Sequence, residues 1–470
     1  MNKHSCSFIT RLLLILTSVL TVSCHKDDFL GKSPNSSLLV PSTLIDFQSL
    51  LDNDQVMGFV PALGEISADN YFMDDDLWQT AGARVQNAYI WKSDIFDGGG
   101  NDEDWNFPYQ QVYYANVVLD GLANIKTDNS NIVNWNSIKG QALFTRAFAL
   151  YNVAQVFAPV YDGMTAASDS SIPLRLSQDV KAPTVRSTVK QTYDQITGDL
   201  RIASGLLPAN VSMTYVNRAS RPAAQALLAR IYLSMRKYDS AEKYADSVLL
   251  NSGGLLDYND YASRLSKAIP FSRQNTEILY QASFVNYANG ISQVLTGYGY
   301  SGCFVNSTLI HSYNPNDLRP GLYYYLAGVT DSFGLKGSYA GSVFPFGGLA
   351  TDEIYLIRAE CRARDSNRNG VADDLYALLE NRWKSGSFSK YTFSTSQEAL
   401  DTVLSERRKE LPFRGVRWSD LRRLNKEGAN ITLLRKINGG VDSLAPKSKL
   451  YVLPIPPDVL LLSGISNAPR

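Results

Sequence analysis

Histidine is nearly absent: three in 470 residues. His4 and His25 lie in and just behind an N-terminal apolar stretch, which leaves His311 as a lone candidate base. A histidine-rich metal site is thereby excluded, and a nucleophilic triad would rest on that single residue. No Gly-x-Ser-x-Gly elbow occurs. Net charge is also missing, because 45 basic side chains balance 45 acidic ones. Nothing in that balance favours nucleic acid. A glycosidase needs two carboxylates facing across a cleft, and no spacing singles out such a pair. Long hydrophobic runs are absent too. Leu12-Leu13-Leu14-Ile15-Leu16, extended by Val19-Leu20, is too short to span a membrane.

That short run has the form of a secretory signal, with Lys3 and Arg11 flanking its start. Leu20-Thr21-Val22-Ser23-Cys24 then reads as a bacterial lipobox. Cleavage before Cys24 makes it the new N-terminus, and its thiol carries the lipid. Thr21 stands where a leucine is usual. Of the four cysteines, Cys6 leaves with the signal and Cys24 is acylated. Cys303 and Cys361 remain and could pair. A buried free thiol is the commoner state for a cysteine on an apolar helix such as that of Cys361.

Helical periodicity is clearest from Arg221 to Leu250. Ala224, Leu228, Ile231 and Met235 share one face, and Ala241, Tyr244, Ala245, Val248 and Leu249 share a second. A tight break at 236–239 makes this an αα-hairpin. Leu228-Ala229, Tyr232, Tyr238 and Ala241 resemble the spacing of a tetratricopeptide repeat, although Gln225 replaces the expected tryptophan. One hairpin cannot bury its own apolar faces, so further helices must flank it. The periodicity predicts them near 42–58, 105–120, 135–157, 193–207, 352–360, 375–379 and 397–411. Between 253 and 348 it is lost, and Gly, Ser, Asn and Tyr dominate.

Several blocks together resemble the SusD/RagB family of surface glycan-binding lipoproteins. The most specific is Glu406-Arg407-Arg408-Lys409-Glu410-Leu411-Pro412-Phe413-Arg414-Gly415-Val416-Arg417-Trp418-Ser419-Asp420-Leu421. Leu453-Pro454-Ile455-Pro456, the 353–360 helix, Arg146-Ala147-Phe148 and Ala226–Leu233 match further blocks in order. The closing Ser466-Asn467-Ala468-Pro469 is abbreviated against the family pattern. The resemblance implies a mostly α-helical fold with little β structure, in which tetratricopeptide-like helix pairs form a scaffold and long loops build a ligand face. It also implies lipid anchoring in the outer membrane facing the cell exterior, and a SusC-like TonB-dependent transporter as partner. His25-Lys26-Asp27-Asp28 resembles the export signal that follows the lipidated cysteine in Bacteroidetes. The resulting division is a signal at 1–23, a tether at 24–41 and one domain at 42–470. That domain comprises a helical scaffold (42–252), a loop-rich region (253–348) and C-terminal helices with an extended tail (349–470).

Two charged motifs have structural readings. Arg407 and Glu410, three apart on a helix, can pair, and Arg417 can form a bidentate bond to a carboxylate on a neighbouring helix. Asp365, Asn367, Asn369 and Asp373 have calcium-loop spacing, with Gly370 at the sixth position. Tyr376 stands where a bidentate glutamate is needed, so a polar turn between helices is favoured over a structural calcium. No other cofactor is implied.

Aromatic residues supply the positive signal, with 27 tyrosines and 6 tryptophans. Sugars stack their C–H faces on rings and bond their hydroxyls to Asp, Asn and Arg. Trp105 and Tyr109 have helical spacing and belong to the core. The loop candidates for an oligosaccharide are Asp69, Asn70 and Trp78, with Tyr287, Tyr298, Tyr300, Tyr323 and Tyr324 in the middle region. The sequence thus points to a nutrient-binding subunit that does no covalent chemistry. Peptide or glycoconjugate capture and a pure protein-interaction scaffold are the alternatives.

Overall fold

Capping chemistry sets where the first long elements begin. In the computed structural model, which describes residues 41–252, 254–285, 302–328 and 331–468, Thr43 opens α1 (Leu44–Leu51) through a reciprocal box with Asp46. The helix predicted to reach residue 58 stops here, because Asn53 Oδ1 accepts from the Gln55 amide and the local turn outcompetes the helix. The stretch that follows is broken into short elements. These are β1 (Phe59–Val60), α2 (Leu63–Ser67), β2 (Tyr71–Met73), α3 (Asp75–Thr80) and α4 (Ala83–Tyr89).

Two long helices follow, α5 (Glu103–Leu122) and α6 (Ile132–Phe157). Helix α6 is buried on nearly every side of its second half, which explains its lack of amphipathic contrast. It packs between α5 and α7 (Val189–Leu206), with the β3–β4 hairpin (Ser170–Pro173, Arg186–Thr188) across one end. The predicted hairpin is α8 (Arg221–Ser234) and α9 (Tyr238–Ser252), with Tyr232 and Tyr244 stacked 5.6 Å apart between them. Ala224, Ala241 and Ala245 are fully buried where the helices approach.

The middle region carries short strands rather than helical pairs: β5 (Ile278–Tyr280), β6 (Ser283–Phe284), β7 (Cys303–Val305), β8 (Tyr324–Leu326), β9 (Phe333–Leu335) and β10 (Leu349–Ala350), with single-turn helices α10 (Ser307–Ile310) and α11 (Arg319–Tyr323). Several pair back to distant chain: β6 with β1, β7 with β2, and β10 with β5. Helices then resume as α12 (Thr351–Arg364), α13 (Arg368–Leu379), α14 (Ser396–Glu410) and α15 (Arg417–Lys426). The β11–β12 hairpin (Leu433–Ile437, Gly440–Leu444) and α16 (Pro457–Ser463) complete a mostly helical chain. Helix α9 packs on α12, so the two helical runs form one continuous stack.

The 365–373 spacing falls on a turn between two helices, as the sequence favours: helix α13 begins at Arg368 and takes Asn369 and Asp373 into its regular turns. Asn367 caps that helix by accepting from the Gly370 amide, Asp365 is the C-cap of α12, and Asp373 pairs with Lys390. The stretch repeats the α8–α9 turn. Ser366 and Arg236 both have positive φ, 63° and 59°. In each turn the two following amides return to carbonyls of the last helical turn: Arg236 to Leu233 and Lys237 to Tyr232, Ser366 to Ala363 and Asn367 to Arg362. This is the Schellman geometry that favours glycine. Ser366→Gly is therefore expected to raise stability by about 0.5–1 kcal/mol in denaturant unfolding. A loss instead would show that the Ser366 side chain supports the turn.

Candidate functional site

Period-two alternation places one ring of each strand of the β2–β7 ribbon outward. Phe72 is 42% exposed between buried Tyr71 and Met73. Phe304, half-buried, lies directly across from it, and their ring centroids are 5.4 Å apart. Cross-strand aromatic pairs of this kind stabilise a short ribbon and leave a ring surface facing solvent. Helix α3 begins immediately beyond the ribbon. Asp74 caps it and donates its own backbone N–H to the Gly302 carbonyl, 2.8 Å away. Gly302 has φ +123°, and a Cβ there would lie 2.6 Å from the Asp74 carboxylate, so only glycine fits this corner.

Trp78 lies on α3, not on a loop. It is half-buried against the core, and its indole N–H donates to the Gln86 carbonyl at 3.2 Å. Strand β9 packs against β7 and carries β8 alongside. On β8, Tyr325 lays its ring across Gly334 of β9, where a Cβ would fall 2.3 Å from the ring. Phe72, Phe304, Trp78 and Tyr325 therefore sit on adjoining elements. The tip of the β11–β12 hairpin borders them: Asn438 accepts from Gln79 and donates its backbone N–H to Asp75, both at 2.8 Å. Arg435 pins that hairpin. Its guanidinium lies 4.2 Å from the Tyr89 ring centroid and 5.3 Å from that of Trp91, and donates to the Ala68 and Tyr71 carbonyls.

Asp69 and Asn70 belong to the scaffold beneath this face. Arg417 grips Asp69 through Nε at 2.6 Å and Nη2 at 2.9 Å, a bidentate bond as the sequence suggested but to a bend beyond α2 and not to a helix, and Arg408 adds a contact at 3.1 Å. Burial opposes that charge, but the Arg417 and Arg408 guanidiniums outweigh it and hold Asp69 well below the usual carboxylate range. Asn70 is buried and donates to Glu65 at 2.8 Å. Tyr323 is likewise spent, with its hydroxyl 2.9 Å from that of Tyr258. Tyr324 is buried and bonded to Tyr313 at 3.1 Å. Tyr287, Tyr298, Tyr300 and Cys24 lie outside the described residues. Cys303 and Cys361 are separate, buried, free thiols.

Glu65 is a buried acid in an unusual state. Burial pushes its carboxyl up to about 7, although Asn70 and the Gly415 amide both donate to it. The folded protein therefore binds this proton more tightly than the unfolded chain, whose glutamate titrates near 4.5. Its contribution to stability is present below that value and falls as pH rises toward 7, by about 3 kcal/mol in all. Glu65→Gln removes this part of the pH dependence. Unfolding curves of both proteins at pH 5 and pH 8 check it, and parallel losses would refute the assignment.

The Glu-Arg-Arg block forms ion pairs inside the protein, in a different pattern from the one expected. Arg407 bonds Asp420 of α15 at 2.8 Å, not Glu410. Glu410 lies between Arg319 at 3.0 Å and Arg382 at 2.7 Å, and Arg382 continues to Glu277 at 2.8 Å. Arg319 also holds Asp317 and Glu406, at 2.6 and 2.7 Å. All these carboxylates and guanidiniums are buried. The block is thus a structural junction between α14 and the middle region.

Residues 28–233 match a SusD-like family described as starch-binding and associating with the outer membrane, and residues 350–460 match the SusD family. The chain belongs to the SusD/RagB family. SusD-like protein P2 of Formosa agariphila is 23% identical over 417 residues, covering 77% of this chain and 78% of the relative. A SusD superfamily crystal structure from Bacteroides vulgatus superposes with a TM-score of 0.71 at 22% identity, covering 91% of this SusD-like chain and all of the other. A laminarin-binding SusD-like protein superposes at 0.64 with 19% identity, covering 90% and 97%. No helix among the described residues is long and apolar enough to cross a membrane.

Proposed function

We propose that this SusD-like chain is the cell-surface nutrient-binding subunit of an outer-membrane uptake complex. It captures an oligosaccharide on the face carrying Phe72, Phe304, Trp78 and Tyr325 and delivers it to a SusC-like TonB-dependent transporter. It carries out no covalent step. The observation that carries the reading is the solvent-facing Phe72–Phe304 pair, set beside Trp78 on a rigid corner. Rings offer apolar surface to sugar C–H groups, and Asp76, Gln79 and Asn438 at the border can take the hydroxyls. The likeness to a laminarin-binding protein and the family's starch-binding description agree in ligand class.

Affinity electrophoresis through gels containing laminarin, xylan or galactomannan tests this. The wild type is expected to be retarded by one of them, and Phe72→Ala to weaken retardation at least tenfold with the unfolding midpoint little changed; Trp78→Ala weakens it as much but also lowers the midpoint, because its indole packs on the core. Failure of every polysaccharide, with capture of peptides instead, would sink the glycan reading.

A further inference from the structure

A second cavity, of about 580 Å³, lies between α1, the first half of α6 and residues 208–218. None of these elements belongs to the aromatic face. Its volume falls within the range of small-molecule sites, roughly 300–1,000 Å³.

Its floor is held rigidly. Arg218 grips Asp52 through two parallel bonds, Nε at 2.8 Å and Nη2 at 2.5 Å. The same guanidinium lies 3.8 Å from the ring centroid of Tyr215. Tyr215 is thus a ring backed on one face by a fixed cation, yet it remains 43% exposed. Its backbone is fixed as well. Ser212 caps the 3₁₀ turn that ends at Tyr215, and the Arg218 amide donates to the Tyr215 carbonyl at 2.8 Å.

A polar chain runs along one wall. Gln48 donates to Asp52 at 2.9 Å, Gln48 and Gln141 each donate a side-chain N–H to the other's carbonyl at 3.1 Å, and Gln141 donates to Ser137 at 3.1 Å. Gln141 is 5% exposed, so a buried network orients these amides. Asn134, Asn210 and Ser49 add neutral polar groups, and Ile45 and Val211 add apolar surface. Among the described residues, the only charged groups lining the cavity, Asp52 and Arg218, cancel each other.

A fixed ring, oriented amides and hydroxyls, and no net charge are the complement of an uncharged pyranose. A sugar of this kind presents an apolar C–H face and a hydroxyl edge. We infer that this cavity is a second carbohydrate subsite, for neutral saccharide, with Tyr215 as its stacking platform. The inference extends the glycan reading but shares no residue with it. Two sites on separate elements allow one long chain to be held at two points, which raises its apparent affinity without new contacts at either site.

The test uses the full-length protein in gels of laminarin, xylan, galactomannan and alginate. On the neutral polysaccharide that retards the wild type, Tyr215→Ala is expected to weaken retardation at least threefold, and Tyr215→Phe, which keeps the ring, less than twofold. Trp78→Ala should leave a residue of binding that the Trp78→Ala/Tyr215→Ala pair abolishes. Ser49→Arg, an exposed position at the rim, fills the cavity and brings a second cation beside Asp52, and should match Tyr215→Ala. If Tyr215→Ala and Ser49→Arg bind like wild type, and the pair binds like Trp78→Ala, the subsite is overturned while the aromatic face stands. If only Trp78→Ala is silent, the face falls and the subsite stands. Retardation by alginate alone overturns the neutral class, and no retardation anywhere overturns both.

Discussion

Glu410→Ala lowers the stability of this protein by about 3–5 kcal/mol, because it removes the shared carboxylate from two buried guanidiniums. Arg319 and Arg382 are completely inaccessible, and each gives Glu410 a bond of 3.0 Å or less. Neither can reach water when the carboxylate is gone. Arg319 keeps Asp317 and Glu406, and Arg382 keeps Glu277, so the network is weakened and not dissolved. Against a stability of about 5–15 kcal/mol, a loss of this size in a domain this long depresses the thermal midpoint by roughly 3–6 °C. The contrast is Lys190, whose pairing with Asp194 on α7 is exposed, screened by solvent and adds little to stability. Equilibrium unfolding of Glu410→Ala and Lys190→Ala side by side decides the matter. Similar small losses would mean that the junction is worth no more than a surface pair.

Cys24→Ala is expected to move the protein from the membrane fraction to the soluble one. The argument is energetic. Each buried methylene of an acyl chain contributes about 0.8 kcal/mol, and one chain gives only reversible attachment, whereas two or more hold firmly. A bacterial lipoprotein cysteine carries two acyl chains on a glycerol joined to its sulfur as a thioether, and alanine offers no sulfur to receive that group. Fractionation of cells expressing each form reads the outcome directly. Retention of Cys24→Ala in the membrane would refute the lipobox and shift the anchoring to protein contacts.

The helical scaffold was legible because its signals are local. Leu228-Ala229 with Tyr232, Tyr238 and Ala241 declared a helix pair through spacing alone, and Asp199 with Arg146 then proved to bridge α6 and α7 at 2.8 Å. Arg417 announced a bidentate partner by its chemistry, but nothing local said that the partner was Asp69, 348 residues away. This is why Asp69 was read as a ligand contact. Tyr323 misled for the same reason: a tyrosine in a glycine-rich stretch looks exposed until its hydroxyl finds Tyr258. Phe72 was passed over although Tyr71-Phe72-Met73 alternates as a strand should. Three residues are too few for the period to speak, and its partner Phe304 arrives from another region. Tyr325 depended on Gly334 across a ribbon, a relation that no spacing encodes.

The junction around Glu410 also bears on how such proteins can be re-engineered. Residues 253–348 have the look of a detachable cassette, a run of loops inserted between two helical blocks. They are not detachable, since Glu277 is paired with Arg382, and Arg319 with Glu406 and Glu410, all three in the C-terminal block, while Tyr339 and Asp317 steady Glu277 and Arg319 from within the run. Transplanting the whole run from a relative would strand charges on both sides of the splice. Any exchange within this run therefore has to carry Glu277 and Arg319 with it, so that each buried guanidinium and carboxylate still meets its counterpart across the splice.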